Sequence, residues 1–348
     1  MKPATRRRAP AGAPGRFRGW IPLVLMTTLI VALGAYAAVH QEAFLTKYNL
    51  GNLLLTALPL ALVAIGQTNA LLVGGFDVSV AALMTMCVVT ASFTLQPGSS
   101  WPVLLAGALA LVGVGLATGV FNATLIRLLQ LPSIIATLGT LSILQGASLL
   151  LRDHPEGFIN SDVVEALNTS VGGFVPVAFI GVVVLAVLAD VSLYRTRAGL
   201  TIRAVGLDET SSRRLGMRTG RTVFLAFVVC SLMAAVAAFY SAAQVQIGSP
   251  IIGNYALESI AAAVLGGASL AGGKGSFVGT LLAALFLTEI GNVLPLFQQP
   301  TEYAQMTIGV LILVALVLYQ APELVARFRS GWQGVGRLRT RQGETPAA

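Results

Sequence analysis

The sequence predicts an all-α integral membrane protein of about ten transmembrane helices, and three observations carry that prediction. Of its 348 residues, 55% are apolar and only 10% are charged, whereas soluble globular chains carry about 25% charged residues. The mean hydropathy is +0.81. The apolar residues fall in continuous runs of helical-span length, without the alternation of a membrane barrel. The basic residues collect at alternate ends of those runs, as they do in cytoplasmic loops. Together these exclude a soluble enzyme, a disordered chain and a disulfide-stapled secreted domain.

A helix needs about 20 apolar residues to cross roughly 30 Å of hydrocarbon. The qualifying windows are 20–39, 53–73, 78–95, 102–121, 132–151, 174–189, 223–243, 257–270, 277–294 and 303–319. The window at 257–270 is short and is expected to be re-entrant or to end inside protein. With the N-terminus inside and sides alternating, 20 of the 22 Lys and Arg residues lie on the inner side, leaving Lys47 and Arg152 outside. Both termini are then cytoplasmic. This divides the chain into a basic tail (1–19), a membrane domain (20–320) with a cytoplasmic loop at 191–221, and a second tail (321–348). The tails suit anionic lipid headgroups. A basic start followed by an apolar run and Ala35-Tyr36-Ala37 also fits a cleavable signal, but about 20 residues is long for one, so the first span is expected to be retained.

The basic stretch at 195–221 separates two halves of five spans each. An odd number per half makes the second run in the opposite sense, an arrangement open to an inverted repeat. Glycine pairs occur in both halves, Gly74-Gly75 and Gly272-Gly273, though not after equivalent spans. The net charge of +8 is confined to span borders, which argues against a nucleic-acid partner. Cys87 and Cys230 lie in apolar segments without CxxC spacing and read as buried free thiols.

Catalytic signatures are missing. The histidines are His40 and His154, both in outer loops; no metal spacing, Gly-x-Ser-x-Gly or HExxH occurs, so no catalytic residue, metal or cofactor is assigned. The segment 265–276 approaches a Walker A loop but has Ala268 at the first glycine position and Gly275 after Lys274. It reads instead as a tight inner turn between closely packed helices, with Lys274 at the surface. Any ATP hydrolysis belongs to another chain.

Ionisable groups near spans are the next candidates, because they are costly in hydrocarbon. Asp77, in Gly74-Gly-Phe-Asp-Val-Ser79, reads first as a helix cap and second as a solute contact. Asp190 reads as a surface charge. Glu258 either starts a helix or lines a polar cavity, and Glu289 either reaches the interface or faces a pathway. An ion-coupled carrier would show several acidic or histidine groups at mid-depth, and few are present. Neutral polar residues within spans, Gln67, Asn69, Asn122, Thr137, Thr140 and Gln145, suit helix-to-helix hydrogen bonds or a neutral polyol path. The translocation-path candidates are therefore Gln67, Asn69, Asp77, Asn122, Glu258 and Glu289. In the long inner loop, Asp208 and Glu209 precede Arg213, Arg214, Leu215 and Gly216, the order of a short dipole-matched helix ending at glycine. Such a helix serves as a solvated connector or as a docking element.

Four segments, in order, resemble the inner-membrane permease subunits of bacterial ATP-binding-cassette importers of the ribose, xylose and galactose type. Gly74-Gly75-Phe76-Asp77-Val78-Ser79-Val80 is similar to that family's Gly-Gly-Ile-Asp-Leu-Ser-Val segment. Leu131-Pro-Ser-Ile-Ile-Ala-Thr-Leu-Gly-Thr140 is similar to its Pro-x-Phe-Ile-Ala-Thr-Leu-Gly-Thr. The inner loop resembles its Thr-x-x-Gly-x-x-x-x-Ala-x-Gly pattern, and 259–280 its Gly-Gly-x-Ser-x-x-Gly-Gly-x-Gly segment. Phe76, Val78 and Ser211-Ser212 depart from the usual residues and leave the cargo open.

The resemblance implies a bacterial inner-membrane permease working as a dimer with an identical or similar permease. It further implies a cytoplasmic ATP-binding-cassette ATPase and an extracytoplasmic substrate-binding protein. The loop carrying Gly206, Asp208, Glu209, Arg213, Arg214, Leu215 and Gly216 would dock on the ATPase, so changing Glu209 or Leu215 is expected to uncouple hydrolysis from uptake. The implied cargo is a pentose or hexose. Branched-chain amino acids, nucleosides or a sugar-like signal molecule are alternative cargoes, and an ion-coupled secondary carrier is the alternative mechanism.

Overall fold

The computed structural model describes residues 20–300, 302–311, 313 and 314. Both expected tails and the end of the last window lie outside the described residues. In chain order the elements are α1 (Ile21–His40), α2 (Lys47–Leu72), α3 (Val80–Thr94), α4 (Trp101–Arg127), α5 (Ser133–Leu151), β1 (Glu156–Phe158), α6 (Ser161–Leu167), β2 (Ser170–Val171) and β3 (Val175–Pro176). There follow α7 (Val177–Arg195), α8 (Arg197–Leu207), α9 (Glu209–Arg214), α10 (Thr219–Val245), β4 (Ile247–Gly248), α11 (Tyr255–Leu265) and α12 (Phe277–Leu296). Residues 302–311 are helical. The short strands pair antiparallel, β1 with β4 and β2 with β3.

Seven of the described helices (α1, α2, α4, α5, α7, α10 and α12) are long and apolar enough to cross a membrane. The chain is thus a predominantly helical multi-pass membrane protein. The centre is α2 against α10, flanked by α3, α4, α11 and α12. Small buried residues make the close approach possible: Ala57, Ala61 and Ala64 on α2, and Ala234, Ala235 and Ala238 on α10. By contrast, α1, α5 and α7 leave most of their apolar surface uncovered. A helix apolar all round, with one side packed, suits hydrocarbon on the other.

Two expected spans are shorter than their windows. The 15 residues of α3 and the 11 of α11 rise only about 22 and 16 Å as helix, short of the hydrocarbon thickness. Helix α11 stops at Leu265 instead of 270 because Gly267 turns the chain at φ +100°. The segment between α5 and α7 forms α6 and small strand pairs, structure that hydropathy does not reveal. It is anchored by Arg152, whose Nε donates to Ser92 Oγ at 2.7 Å and whose guanidinium lies 4.1 Å from the centre of the Phe93 ring. Cys87 and Cys230 are buried free thiols.

Candidate functional site

The long basic loop folds into two helices rather than one. Asp208 is the joint, ending α8 and capping α9: its Oδ1 accepts from the Ser211 N–H at 3.1 Å and its Oδ2 from the Ser211 hydroxyl at 2.5 Å. At the other end, Gly216 (φ +79°) donates to the Arg213 carbonyl and Met217 to the Ser212 carbonyl. That pair of bonds is a Schellman stop, which glycine alone adopts without strain. The dipole-matched helix with its glycine end is thus present. Leu207 and Leu215 stand 63% and 77% exposed beside it.

Two contacts fasten these helices to the bundle. A Cβ on Gly206 would overlap the Leu72 carbonyl oxygen at the end of α2, and Gly272 and Gly273 of the glycine-rich turn press on the same place. The Gly273 N–H also donates to Leu72 O at 2.9 Å. On the other side, Glu209 takes Arg127 of α4 through both guanidinium nitrogens, at 2.6 and 3.3 Å, and Arg213 at 3.0 Å. The Arg127 hydrogen bond, outweighing partial burial, holds the Glu209 carboxyl down to about 2. A cavity of about 1050 Å³ opens here, with Arg127, Glu209, Arg213 and Arg221 on its walls. Lys274 is exposed.

Asp190 corrects its surface-charge reading. Its carboxylate accepts from the Phe277 N–H at 2.7 Å, the Val278 N–H at 3.2 Å and the Ser276 hydroxyl at 2.8 Å. It therefore caps α12 from a different helix, where a negative charge meets the positive end of the dipole.

Asp77 is fully buried between α2 and α3, and each carboxylate oxygen has a protein partner. Oδ1 accepts from the Ser79 N–H at 3.0 Å and the Ser79 hydroxyl at 2.6 Å; Oδ2 accepts from the Ser231 hydroxyl of α10 at 3.4 Å. Asn122 donates to Ser79 Oγ at 2.8 Å, and Thr140 to Asn122 Oδ1 at 2.6 Å. Gln67, with its amide oxygen turned to the Asp77 N–H, accepts there at 3.2 Å and donates to the Asp77 carbonyl at 3.1 Å. Thr137 accepts from the Val78 N–H at 3.2 Å. Three of the path candidates, Gln67, Asp77 and Asn122, thus share one saturated network that holds five helices to one loop.

The other three stand apart. Asn69 donates to Ile65 O within α2 and borders a cavity of about 480 Å³ beside α7 and α8. Glu258 lines a cavity of about 530 Å³ at the opposite end of the bundle, among Asn49, Asn52, Thr56, Thr288, Asn292 and Gln305. Glu289 is buried on another flank of α12 towards Gly34 of α1, and its Oε2 has no hydrogen-bond partner among the described residues.

A family model described as branched-chain amino acid transport system, permease component, matches residues 49–316. The chain belongs to this permease family. It is 35% identical over 296 residues to the autoinducer 2 import system permease protein LsrC of Enterobacter sp. (strain 638), covering 83% of this chain and 84% of that one. The LsrC proteins of Salmonella typhi and Yersinia pestis (strain Pestoides F) are 33% and 32% identical, over 85% and 83% of this chain and 83% and 82% of theirs. No solved structure matches. The expectation of a transport permease, drawn from the four segments, is met.

Sequence reasoning missed Asp190 as a cap, because its partners lie about 87 residues away. It also missed the wall formed by Asn49, Asn52 and Thr56. Their i, i+3, i+7 spacing marks one helix face, but the hydropathy window began at residue 53 and left the asparagines outside.

Proposed function

We propose that this permease is the membrane subunit of an ATP-driven importer in a bacterial inner membrane, carrying a sugar-like solute. Two permease copies, or this chain with a similar one, form the path. A separate cytoplasmic ATPase supplies the ATP site, so this chain needs no cofactor, and an extracytoplasmic binding protein delivers the cargo. The single observation that carries the reading is α8–α9, a capped pair of helices showing two leucines to solvent. They are clamped to α2 through Gly206 and to α4 through Glu209. Force applied to Leu207 and Leu215 would pass through those two contacts into α2, the most buried of the seven long apolar helices, and into α4. Arg127 and the loop face the cytoplasm, as does the N-terminus.

Ten spans in two inverted halves fit the same arrangement. Counting α7 as the sixth span, the third span of each half is the short one, α3 and α11. Short or interrupted segments at corresponding positions are the pattern of inverted-repeat transporters. The import of autoinducer 2, named for the relatives, favours a sugar-like signal molecule within the sugar class.

Co-purification tests the reading. A C-terminally tagged chain extracted in mild detergent should bring an ATPase with a complete Walker A motif in about one-to-one ratio. A chain that purifies alone, yet moves solute down an imposed ion gradient, would overturn it.

A further inference from the structure

The cavity of about 530 Å³ around Glu258 differs in kind from the Asp77 network. It lies between the first half of α2, the start of α11, the end of α12 and helix 302–311. Asn49 and Asn292 pair their amides across it, at 2.9 and 3.1 Å, and stiffen one wall. The side chains of Asn52, Thr56, Glu258 and Gln305 make no hydrogen bond to any other described residue, although all four line it. Asn52, Thr56 and Gln305 are exposed and Glu258 is half-buried, so all four meet water when the cavity is empty and are free to exchange it for the hydroxyls of a solute.

We propose that this cavity is a solute site within a single permease subunit, selective for a neutral polyhydroxylated molecule over a zwitterion or an anion. Its volume falls within the range of about 300–1,000 Å³ usual for small-molecule sites. One carboxylate and several carboxamides supply paired acceptors and donors, which match neighbouring hydroxyls. Tyr255 adds a flat face. No Lys, Arg or His lines the cavity among the described residues, so an amino acid could place its ammonium on Glu258 but would find only neutral donors, and no counter-charge, for its carboxylate. Glu258 sits on α11, the short helix at the corresponding position of its half, where the transporter pattern directs a binding site. The choice of a polyol deepens the sugar-like reading above and rests on it; the site itself rests on the unpaired side chains.

The native cysteines are buried, so an introduced one can report occupancy. In the purified full-length chain, Asn52→Cys is reacted with a polar maleimide, with Ser99→Cys as a reference outside the cavity. A panel of neutral five- and six-carbon sugars is expected to slow labelling of the cysteine at 52 and leave that at 99 unchanged, while leucine slows neither. Glu258→Gln should raise the sugar concentration needed for half-protection about tenfold, the loss of a charge-assisted hydrogen bond. Thr56→Val should raise it less. Elution as a single species in size exclusion shows that each variant is folded. Protection by leucine and by no sugar would overturn the selectivity, and protection by neither would overturn the site. If an ATPase still co-purifies in either case, the importer reading survives and only the site fails.

Discussion

The Asp77 loop and the Glu258 cavity are both acidic, both polar and both set in an apolar bundle, yet they have opposite hydrogen-bond balances. Around Asp77 both carboxylate oxygens are taken by protein donors, Ser79 at the cap of α3 and Ser231 on α10, with Asn122 and Thr140 extending the network to α4 and α5. Around Glu258, Asn49 and Asn292 pair with each other, while Asn52, Thr56, Gln305 and Glu258 itself have no partner among the described residues. A saturated buried network fixes helix positions; half-buried and exposed polar groups around a cavity stay free to exchange water for a solute. Acidity alone therefore does not separate the two places, whereas their hydrogen-bond balance does.

The strongest way to break this contrast is at Asp77. Replacing it with Ala leaves the Ser79 N–H and two buried hydroxyls without an acceptor, at about 1–3 kcal/mol for each group that finds no new partner. We expect Asp77→Ala to lose about 3 kcal/mol or more of stability, seen as a lower unfolding temperature in detergent, and Asp77→Asn to lose less. A variant as stable as the parent, with transport abolished, would move Asp77 from scaffold to path.

Glu289 sharpens the comparison because it is buried like Asp77 and unpartnered like Glu258. A buried charge without a partner is destabilising, and an apolar side chain of similar volume is often better tolerated. Glu289→Leu should therefore raise stability by about 1–3 kcal/mol, measured by the same unfolding assay. Loss of uptake together with that gain would assign the carboxylate to function; a loss of stability would mean that Oε2 has a partner in the membrane.

Much of the architecture was legible because membrane crossing imposes a length and a composition. Every hydropathy window contains helix, and the capped, glycine-terminated helix at Glu209–Arg214 follows from the order of its charges. What stayed hidden depended on contacts between distant residues. Hydropathy averages over about 20 residues and so could not tell that α11 stops at Leu265. Nor could it show that Asp190 reaches α12, or that Asn49 meets Asn292 across 243 positions. The saturation of Asp77 was hidden for the same reason: its cap is local, but Ser231 is 154 residues away.

The smallest expected effect concerns the clamp between Arg127 and Glu209, which lies outside the bundle in water's reach. Arg127 depresses the Glu209 carboxyl to about 2 from an ordinary 4.5. A depressed carboxyl contributes its full stabilisation above the ordinary value and loses it as pH falls from there through the folded one. Because Glu209 is more than a third exposed, solvent and salt screen the pair to less than about 1 kcal/mol. A spin label on Leu215→Cys should accordingly report a held α9 at neutral pH, and mobility should rise only as pH falls below about 4. In an Arg127→Gln background the same label should already be mobile at neutral pH, and high salt should move the parent part of the way towards it. Equal mobility in both backgrounds would mean that Gly206 alone fastens α8 and α9, tying them to α2 rather than to α4.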